Sequence, residues 1–367
     1  MKSDTPSHSV STPNKVPPCR LAALGLATDG AVRMAPLLGL PCLLSDHGLD
    51  PDAVIRGQGC DPALFRDPDN TIAFSAVGRL LAHAAAVTGC RYPGIELARH
   101  WGLDVLGAVG RAARLAPNVG AALRCVTLNM HLHDRGAVPY LWTSGDHAVF
   151  GYTLYCPDVL GTEHIYDAAL TIVHNILREL AGTGWRATEV RLFRDAPVDM
   201  TPFREHFRSP LRFAAEQASI VFPAADLARP SANADPARFA AALRDLEALD
   251  ASFGGGLSDK VQRLLMSLMV TGACLGDTAL DRAAVSKLLG LHPRSLNRRL
   301  RAEGTTFAAL LTDSRYVIAR ELLRDTRLPV DAIAALLGYA QAASFDHAFR
   351  RWSTTTATAW RSLFGRS

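Results

Sequence analysis

The sequence predicts an α+β body followed by an all-α C-terminal domain. Three observations carry that prediction. Strand candidates, the first of them a hairpin with period-two apolar spacing, are grouped between residues 139 and 222, the pattern of an antiparallel sheet. Beyond the glycine run at 254–256 the apolar residues recur at three and four, with no convincing strand. The charge is also divided unevenly. From Ser258 to the end 16 Lys and Arg stand against 9 Asp and Glu, near +7, while the preceding residues hold 23 against 26, near −3. A basic domain of this kind suits a polyanionic partner, although a solvated basic face has the same composition.

The chain has 367 residues, 49% of them hydrophobic, enough for two or three domains with real cores. Residues 1–20 are Pro/Ser-rich and polar, which predicts a disordered start. The apolar run from Leu21 is broken by Asp29 and Arg33, so it is neither a signal peptide nor a membrane span. The seven cysteines (19, 42, 60, 90, 125, 156, 274) include no C-x-x-C pair. An odd, scattered set reads as reduced core thiols in a cytosolic protein.

Residues 21–250 read as one α+β domain. Its first part, to residue 135, is mainly helical. Thr71 to Thr88, with Ile72, Val77, Leu80, Leu81 and Ala84 inward, is a helix ended by Gly89. PYLWT, SGD and HAVFGYTLY then place Ala148, Phe150, Tyr152 and Leu154 at period two beside a turn, a β-hairpin. Thr162 to Leu180 is an amphipathic helix closed by Gly182, carrying Ile165, Ala169, Ile172, Val173, Ile176 and Leu177. Short strands are predicted at Glu189 to Phe193, Leu211 to Phe213 and Ser219 to Phe222, and a helix from Asp235 to Leu249. Residues 251–258, ASFGGGLS, have too much backbone freedom for an element interior and read as a linker.

Residues 259–367 carry the chemistry. AAVSKLLGLHPRSLNRRLRAEG gives a short helix with Val285, Leu288 and Leu289 inward, a turn at Gly290, and a second helix opened by Pro293. In that second helix Leu296 and Leu300 form one edge. Arg294, Asn297, Arg298 and Arg301 fall at i, i+3, i+4 and i+7 on the opposite face. A DNA major groove admits one helix, and arginine and asparagine offer bidentate matches to guanine and adenine. An ordinary basic helix on a small bundle has the same local pattern. A second copy some 47 residues later weighs against that reading. DAIAALLGYAQAASFDHAFRRW repeats the inward Ile333, Leu336 and Leu337, the turn Gly338, and puts Phe345 and Phe349 where Leu296 and Leu300 stand. Between the copies FAALLTDSRYVIARELLRDT is a long helix, a strut able to hold two reading heads about one DNA turn apart.

On SKLLGLHPRSLNRRLRAEGTTFAALL and RYVIARELLRDTRLPVDAIAALLGYAQAASFDHAFRRW the C-terminal domain resembles the AraC/XylS family of transcription regulators. On HWGLDVLGAVGRAARLAPNVGAALR and FRSPLRFAAEQASIVFPAADLARP the body resembles the effector domain of the ornithine-utilisation regulator subgroup. The resemblance implies a DNA-binding regulator controlled by a small-molecule effector, an activator by preference, with promoter DNA and RNA polymerase as partners and a homodimer as its assembly. It implies no enzyme activity and no cofactor. It puts base contacts on Arg294, Asn297 and Arg298 in the first head. In the second the positions fall on Ala342, Ala343, Ser344 and His347, of which Ser344 and His347 are the polar readers. Arg299, Arg301, Arg350 and Arg351 are the phosphate candidates. Three departures stand out: Thr354 and Ala357 occupy the family's usual glycine and proline positions, and Arg208 with Ser209 fills a gap that usually holds glycine. A β-branched Thr354 is ill suited to φ > 0, which predicts a different, irregular turn after Trp352.

Other constellations are weaker. HLHD at 131–134 would put His131 and His133 on one strand face beside Asp134, but no further ligand pair has recognisable spacing, so no metal site is assigned. There is no G-x-S-x-G, P-loop or dinucleotide fingerprint. Trp142, Phe150, Tyr152 and Tyr155 flank the hairpin and are the effector-contact candidates, with plain core packing as the alternative. The competing functional reading is a small-molecule binding protein or enzyme with a basic docking tail. A steep salt dependence of DNA affinity separates the two.

Overall fold

The computed structural model describes residues 30–154, 159–215, 217–252, 256–271, 280–289, 291–326 and 328–365. The predicted disordered start, Tyr155, Gly290, linker residues 253–255 and the side chains of Trp142 and Leu288 lie outside that description.

The body begins with β1 (Ala31–Arg33), followed by helices α1 (Leu40–Asp46) and α2 (Pro51–Gly57). Next come β2 (Thr71–Ala73), α3 (Phe74–Thr88), α4 (Pro93–Ala98), α5 (Ala108–Arg114) and α6 (Val119–Asn129). The helix expected from Thr71 thus starts three residues late, because Thr71–Ala73 pairs antiparallel with β1. Its end is as expected: Gly89 takes φ 71°, a left-handed cap that costs glycine nothing.

The hairpin forms β3 (Ala137–Ser144) and β4 (His147–Leu154), with Ser144 opposite His147 across a two-residue turn. After α7 (Thr162–Ala181), closed at Gly182, come β5 (Glu189–Arg191), α8 (Thr201–Phe207), β6 (Leu211–Arg212) and β7 (Ser219–Pro223). The sheet order is β3-β4-β7-β5-β6. One pair departs from the antiparallel expectation: β5 and β6 run parallel, since α8 between them supplies a crossover that no hairpin could. Helix α9 (Pro236–Ser252) closes the body.

The hairpin's alternation is real, but its outer face is not solvated. Ala148, Phe150, Tyr152 and Leu154 point into the body core with Ile220 and Phe222. Val138, Tyr140, Val149 and Val221, on the other face, join a second core with Val261, Leu265, Met266 and Met269 of α10 (Leu257–Thr271). Gly151 belongs to the same arrangement: a Cβ there would lie 2.1 Å from Cζ of Tyr140, whose ring occupies the space. The first helix past the glycine run is therefore seated on the body's sheet.

The C-terminal helices are α11 (Arg282–Leu288), α12 (Pro293–Ala302), α13 (Phe307–Asp325), α14 (Val330–Leu336), α15 (Ala342–Ser353) and α16 (Ala357–Phe364). Among the described residues after 256 every element is a helix, as the spacing predicts. No helix among the described residues is long and apolar enough to cross a membrane.

Candidate DNA interface and ligand chamber

Each copy of the sequence repeat forms a short helix, a turn and a second helix, with α13 between them. In the first, Val285, Leu296 and Leu300 are fully buried and fix which face of α12 looks outward. His292 caps that helix, its Nδ1 accepting from the Arg294 N–H at 3.2 Å, and Pro293 follows at the first position. Arg294, Arg298 and Arg301 are exposed and Asn297 is half-buried. None of these arginines makes an ion pair with a described residue, so their donors are directed at solvent and available to a polyanion. Arg299 is exposed as well, but it lines a groove of about 520 Å³ between the two domains with Glu247, Asp250, Lys260 and Arg263. It lies about 100° around α12 from Arg298.

In the second copy Ile333, Leu337, Phe345 and Phe349 are buried, while Leu336 is only half-buried. The rings of Phe345 and Phe349 lie 5.7 Å apart, and Phe349 meets Trp360 of α16 edge-on at 5.8 Å. Ala343, Ser344 and His347 are exposed, as are Arg350 and Arg351. Arg350 is partly engaged, 3.8 Å from Asp346. The second outward face is thus shorter in side chain and poorer in donors than the first.

The strut α13 has 19 residues, about 28 Å of helix. Glu321, in the C-terminal part of this helix, is buried with ion pairs to Arg320 and Arg324, and Arg315 reaches across to the second unit. There its Nε donates to the Leu337 carbonyl at 2.9 Å and its guanidinium stacks on Tyr339 at 4.7 Å. Such bonds fix the second head on the strut.

The turn after Trp352 differs from the expectation. Thr354 adopts φ 65°, ψ 1°, the left-handed cap that glycine would take, and its N–H donates to the Arg350 carbonyl at 2.8 Å. The chain keeps the glycine geometry and bears the strain. Ala357 opens α16, and its N–H donates to Asp346 at 2.9 Å, a bond proline could not make. Arg208 likewise takes φ 47° at the end of α8.

Sequence reasoning missed two polar clusters, one between the body and α10 and one between α10 and the first reading helix. Asp250 accepts from His131 at 2.9 Å and pairs with Lys260 at 2.7 Å and Arg263 at 3.0 Å. Burial acts to raise its carboxyl, but the hydrogen bonds from His131 and Lys260 outweigh it and hold the group well below the usual range. Glu303, just after α12, accepts from the backbone N–H groups of Leu257 and Ser258 at 2.9 and 2.8 Å and from the Ser258 hydroxyl at 2.6 Å. It caps the start of α10 from another helix. Neither cluster has a local signal, because His131 and Asp250 are 119 residues apart and Ser258 and Glu303 are 45 apart.

The HLHD stretch is not a strand. Met130–Leu132 is a 3-10 turn, so His131 goes to Asp250 while His133 and Asp134 turn into the body. There they border a chamber of about 90 Å³ together with Phe150 and Tyr152. Those two effector candidates line it; the other two, Trp142 and Tyr155, fall outside the described side chains. Of 24 lining residues, only Arg33, His133, Asp134 and Tyr152 are polar. Burial pushes the His133 imidazole down to about 3, with the Arg33 charge adding, and lifts the Asp134 carboxyl to about 7 against hydrogen bonds from Tyr152, Gly136 and Ala137. No cluster of three or more His, Cys, Asp or Glu suited to a metal occurs among the described residues.

A basic pair of helix-turn-helix units on an α+β body with an interior chamber defines a DNA-binding transcription regulator rather than an enzyme. The comparisons give the same class. The arabinose-binding N-terminal domain of AraC transcription regulators matches residues 48–231, and a helix-turn-helix domain matches residues 285–362. The chain belongs to the AraC/XylS family of transcription regulators. It is similar to the HTH-type regulator VirS of Mycobacterium tuberculosis, 28% identical over 339 residues, covering 92% of this chain and 98% of VirS. It is also similar to the ornithine utilization regulator of Pseudomonas aeruginosa, 26% identical over 315 residues, covering 85% and 90%. Among solved structures it matches the regulator CdpR of Pseudomonas aeruginosa, 26% identical with a TM-score of 0.41, over 85% of this chain and 96% of that one.

Proposed function

We propose that this regulator reads promoter DNA mainly through its first helix-turn-helix unit and is switched by a small molecule held in the body. Residues 21–250 are the effector-binding and dimerisation domain, 251–258 the tether, into which the ends of α9 and α10 extend, and 259–367 the DNA-binding domain. Arg294 and Arg298 read guanine and Asn297 adenine. Ser344, His347 and methyl contacts from Ala342 and Ala343 make a thinner second readout. Arg301, Arg350 and Arg351 hold phosphates. Arg299, exposed at the rim of the groove that Glu247 and Asp250 also line, is the fourth phosphate candidate.

The observation that carries this reading is the contrast between the heads: unpaired, exposed arginines flank Asn297 on α12, where α15 offers Ala343, Ser344 and His347. Control works by population shift. An effector that binds one arrangement of the body and α10 better than another favours it, and with it the engagement of DNA and RNA polymerase in the cytosol. Activation is the expected sign.

Two measurements test this. Affinity for a selected operator should fall steeply with salt and exceed random-sequence affinity by about 10³ or more; a flat response without preference would leave only a docking tail. A thermal-shift screen of the full chain against amino acids, amines, fatty acids and aromatic compounds should yield a ligand that raises the melting temperature and alters operator binding. Ligands without effect on operator affinity would argue against effector control.

A further inference from the structure

Resting on the population-shift reading for its part in control, we infer that Asp250 clasps the body to α10, and that this clasp, not the length of the glycine tether, sets where the first reading helix stands relative to the body. Asp250 and His131 are then positioning residues for DNA reading. Asp250 lies in the last turn of α9, while Lys260 and Arg263 lie beyond the glycine run in α10, at i and i+3 on one side of that helix. The tether is spanned by charge.

The carboxylate takes bonds from both sides of the tether. Its Oδ1 accepts from His131 Nε2 at 2.9 Å and from Arg263 at 3.0 Å, and its Oδ2 meets Lys260 Nζ at 2.7 Å. The four side chains are only 14–32% exposed, so solvent and salt screen them less than a surface pair. Hydrogen bonds to an ionised group are short and fix geometry. The rest of the α10 seat is apolar, with Val261, Leu265 and Met269 in one core with Val138 and Val149 of the sheet. Apolar burial is non-directional and holds α10 on the sheet without fixing its slide or rotation. The clasp supplies that direction.

From α10 the position passes to α12. Glu303, just after α12, accepts from the Leu257 and Ser258 N–H groups and from the Ser258 hydroxyl, so the start of α10 and the end of the first reading helix move together. On the body side the clasp begins in the chamber wall. Met130 and His131 belong to one 3-10 turn; Met130 lines both the chamber and the interdomain groove, and His131 holds Asp250. A molecule in the chamber that displaces Met130 moves the residue that holds the clasp. Glu247 gives the contrast. It lines the same groove but is exposed and makes no ion pair with a described residue.

Single-molecule energy transfer on the full chain tests the clasp, with dyes attached through unnatural amino acids at the exposed positions Ala53 in α2 and Ser362 in α16. The wild type should give one narrow population. Asp250→Asn should about double its width, as a glycine-rich tether free of its clasp allows. His131→Phe should broaden it as well, and His131→Gln, which keeps a donor for Asp250, should return it to the wild-type width. Glu247→Gln should leave it unchanged. Lys260→Met carries the test if Asp250→Asn does not fold. A lower melting temperature with an unchanged width in Asp250→Asn or His131→Phe would mean that the cluster only stabilises the body, and would overturn the inference. Equal broadening by Glu247→Gln would overturn it too, since any charge in the groove would then serve. The widths are read without an effector, so their failure removes the clasp and leaves effector control to the thermal-shift screen.

Discussion

Thr354 is held at φ 65°, where a β-branched residue pays about 1–2 kcal/mol relative to its ordinary regions. Thr354→Gly should therefore stabilise the second unit by about 0.5–1 kcal/mol once the larger entropy of the unfolded glycine is subtracted, measured as a rise in the urea midpoint. Ala357→Pro, the other return to the usual family residue, should do the opposite. It removes the N–H that Asp346 accepts at 2.9 Å, a bond to a charged group worth about 1.5–3 kcal/mol, against an entropic gain of about 0.4–1. A stabilising Ala357→Pro would show that the Asp346 bond contributes nothing. At this scale the sequence was legible in identity and misleading in geometry. Thr354 marks the departure correctly, but the turn is set by the packing of Phe349 and Trp360 on either side of it, which no local propensity encodes. His131 and His133 are a plainer case: strand alternation would put both on one face, whereas the 3-10 turn at Met130–Leu132 sends His131 to Asp250 and buries His133 in the body.

Helix α10 connects the two halves. Its start is capped by Glu303 and its apolar face lies on β3, so the first reading helix and the sheet both hold it. Glu303→Ala should cost about 0.5–2 kcal/mol, the usual range for losing a cap, seen in the melting of the C-terminal unit. If that unit melts unchanged, Glu303 is a surface contact with no share in positioning α12. Helix periodicity made α3, α7, α9 and α12 to α15 legible because each buries a single stripe. The cap, the parallel β5 and β6 pair and the Asp250 cluster were not, since each depends on residues brought together from distant parts of the chain. The double burial of β4 was hidden too: a residue such as Val149 reads the same whether solvent or α10 covers it.

Across the whole molecule, buried histidines make the body acid-sensitive. Burial lowers His133 and His174 to about 3 and His206 to about 4. The unfolded chain takes up these protons as pH falls through about 6.5 while the fold refuses them, so stability is lost from about 6.5 downward and levels off near 3. Asp134, raised by burial to about 7, opposes this: its proton is held by the fold and not by the unfolded chain between about 4 and 7. Asp167, also raised by burial but paired with Arg194, acts in the same direction. His174→Phe should therefore flatten the loss of stability between pH 6.5 and 4 by about 1.4 kcal/mol per pH unit, read from urea unfolding at several pH values. An unchanged slope would mean that His174 protonates freely in the fold.

The division into two cores, the basic reading unit and the slightly acidic body were all visible in composition and periodicity, and the structure adds the unequal equipment of the two heads. That inequality is tested most directly by selecting bound sequences from a randomised operator with the wild type, Arg298→Ala and His347→Ala. Arg298→Ala should lose preference at one guanine position and about 1–3 kcal/mol of affinity on the preferred site, and His347→Ala should lose less on both counts. An Arg298→Ala profile identical to wild type, or a larger loss from His347→Ala, would contradict it.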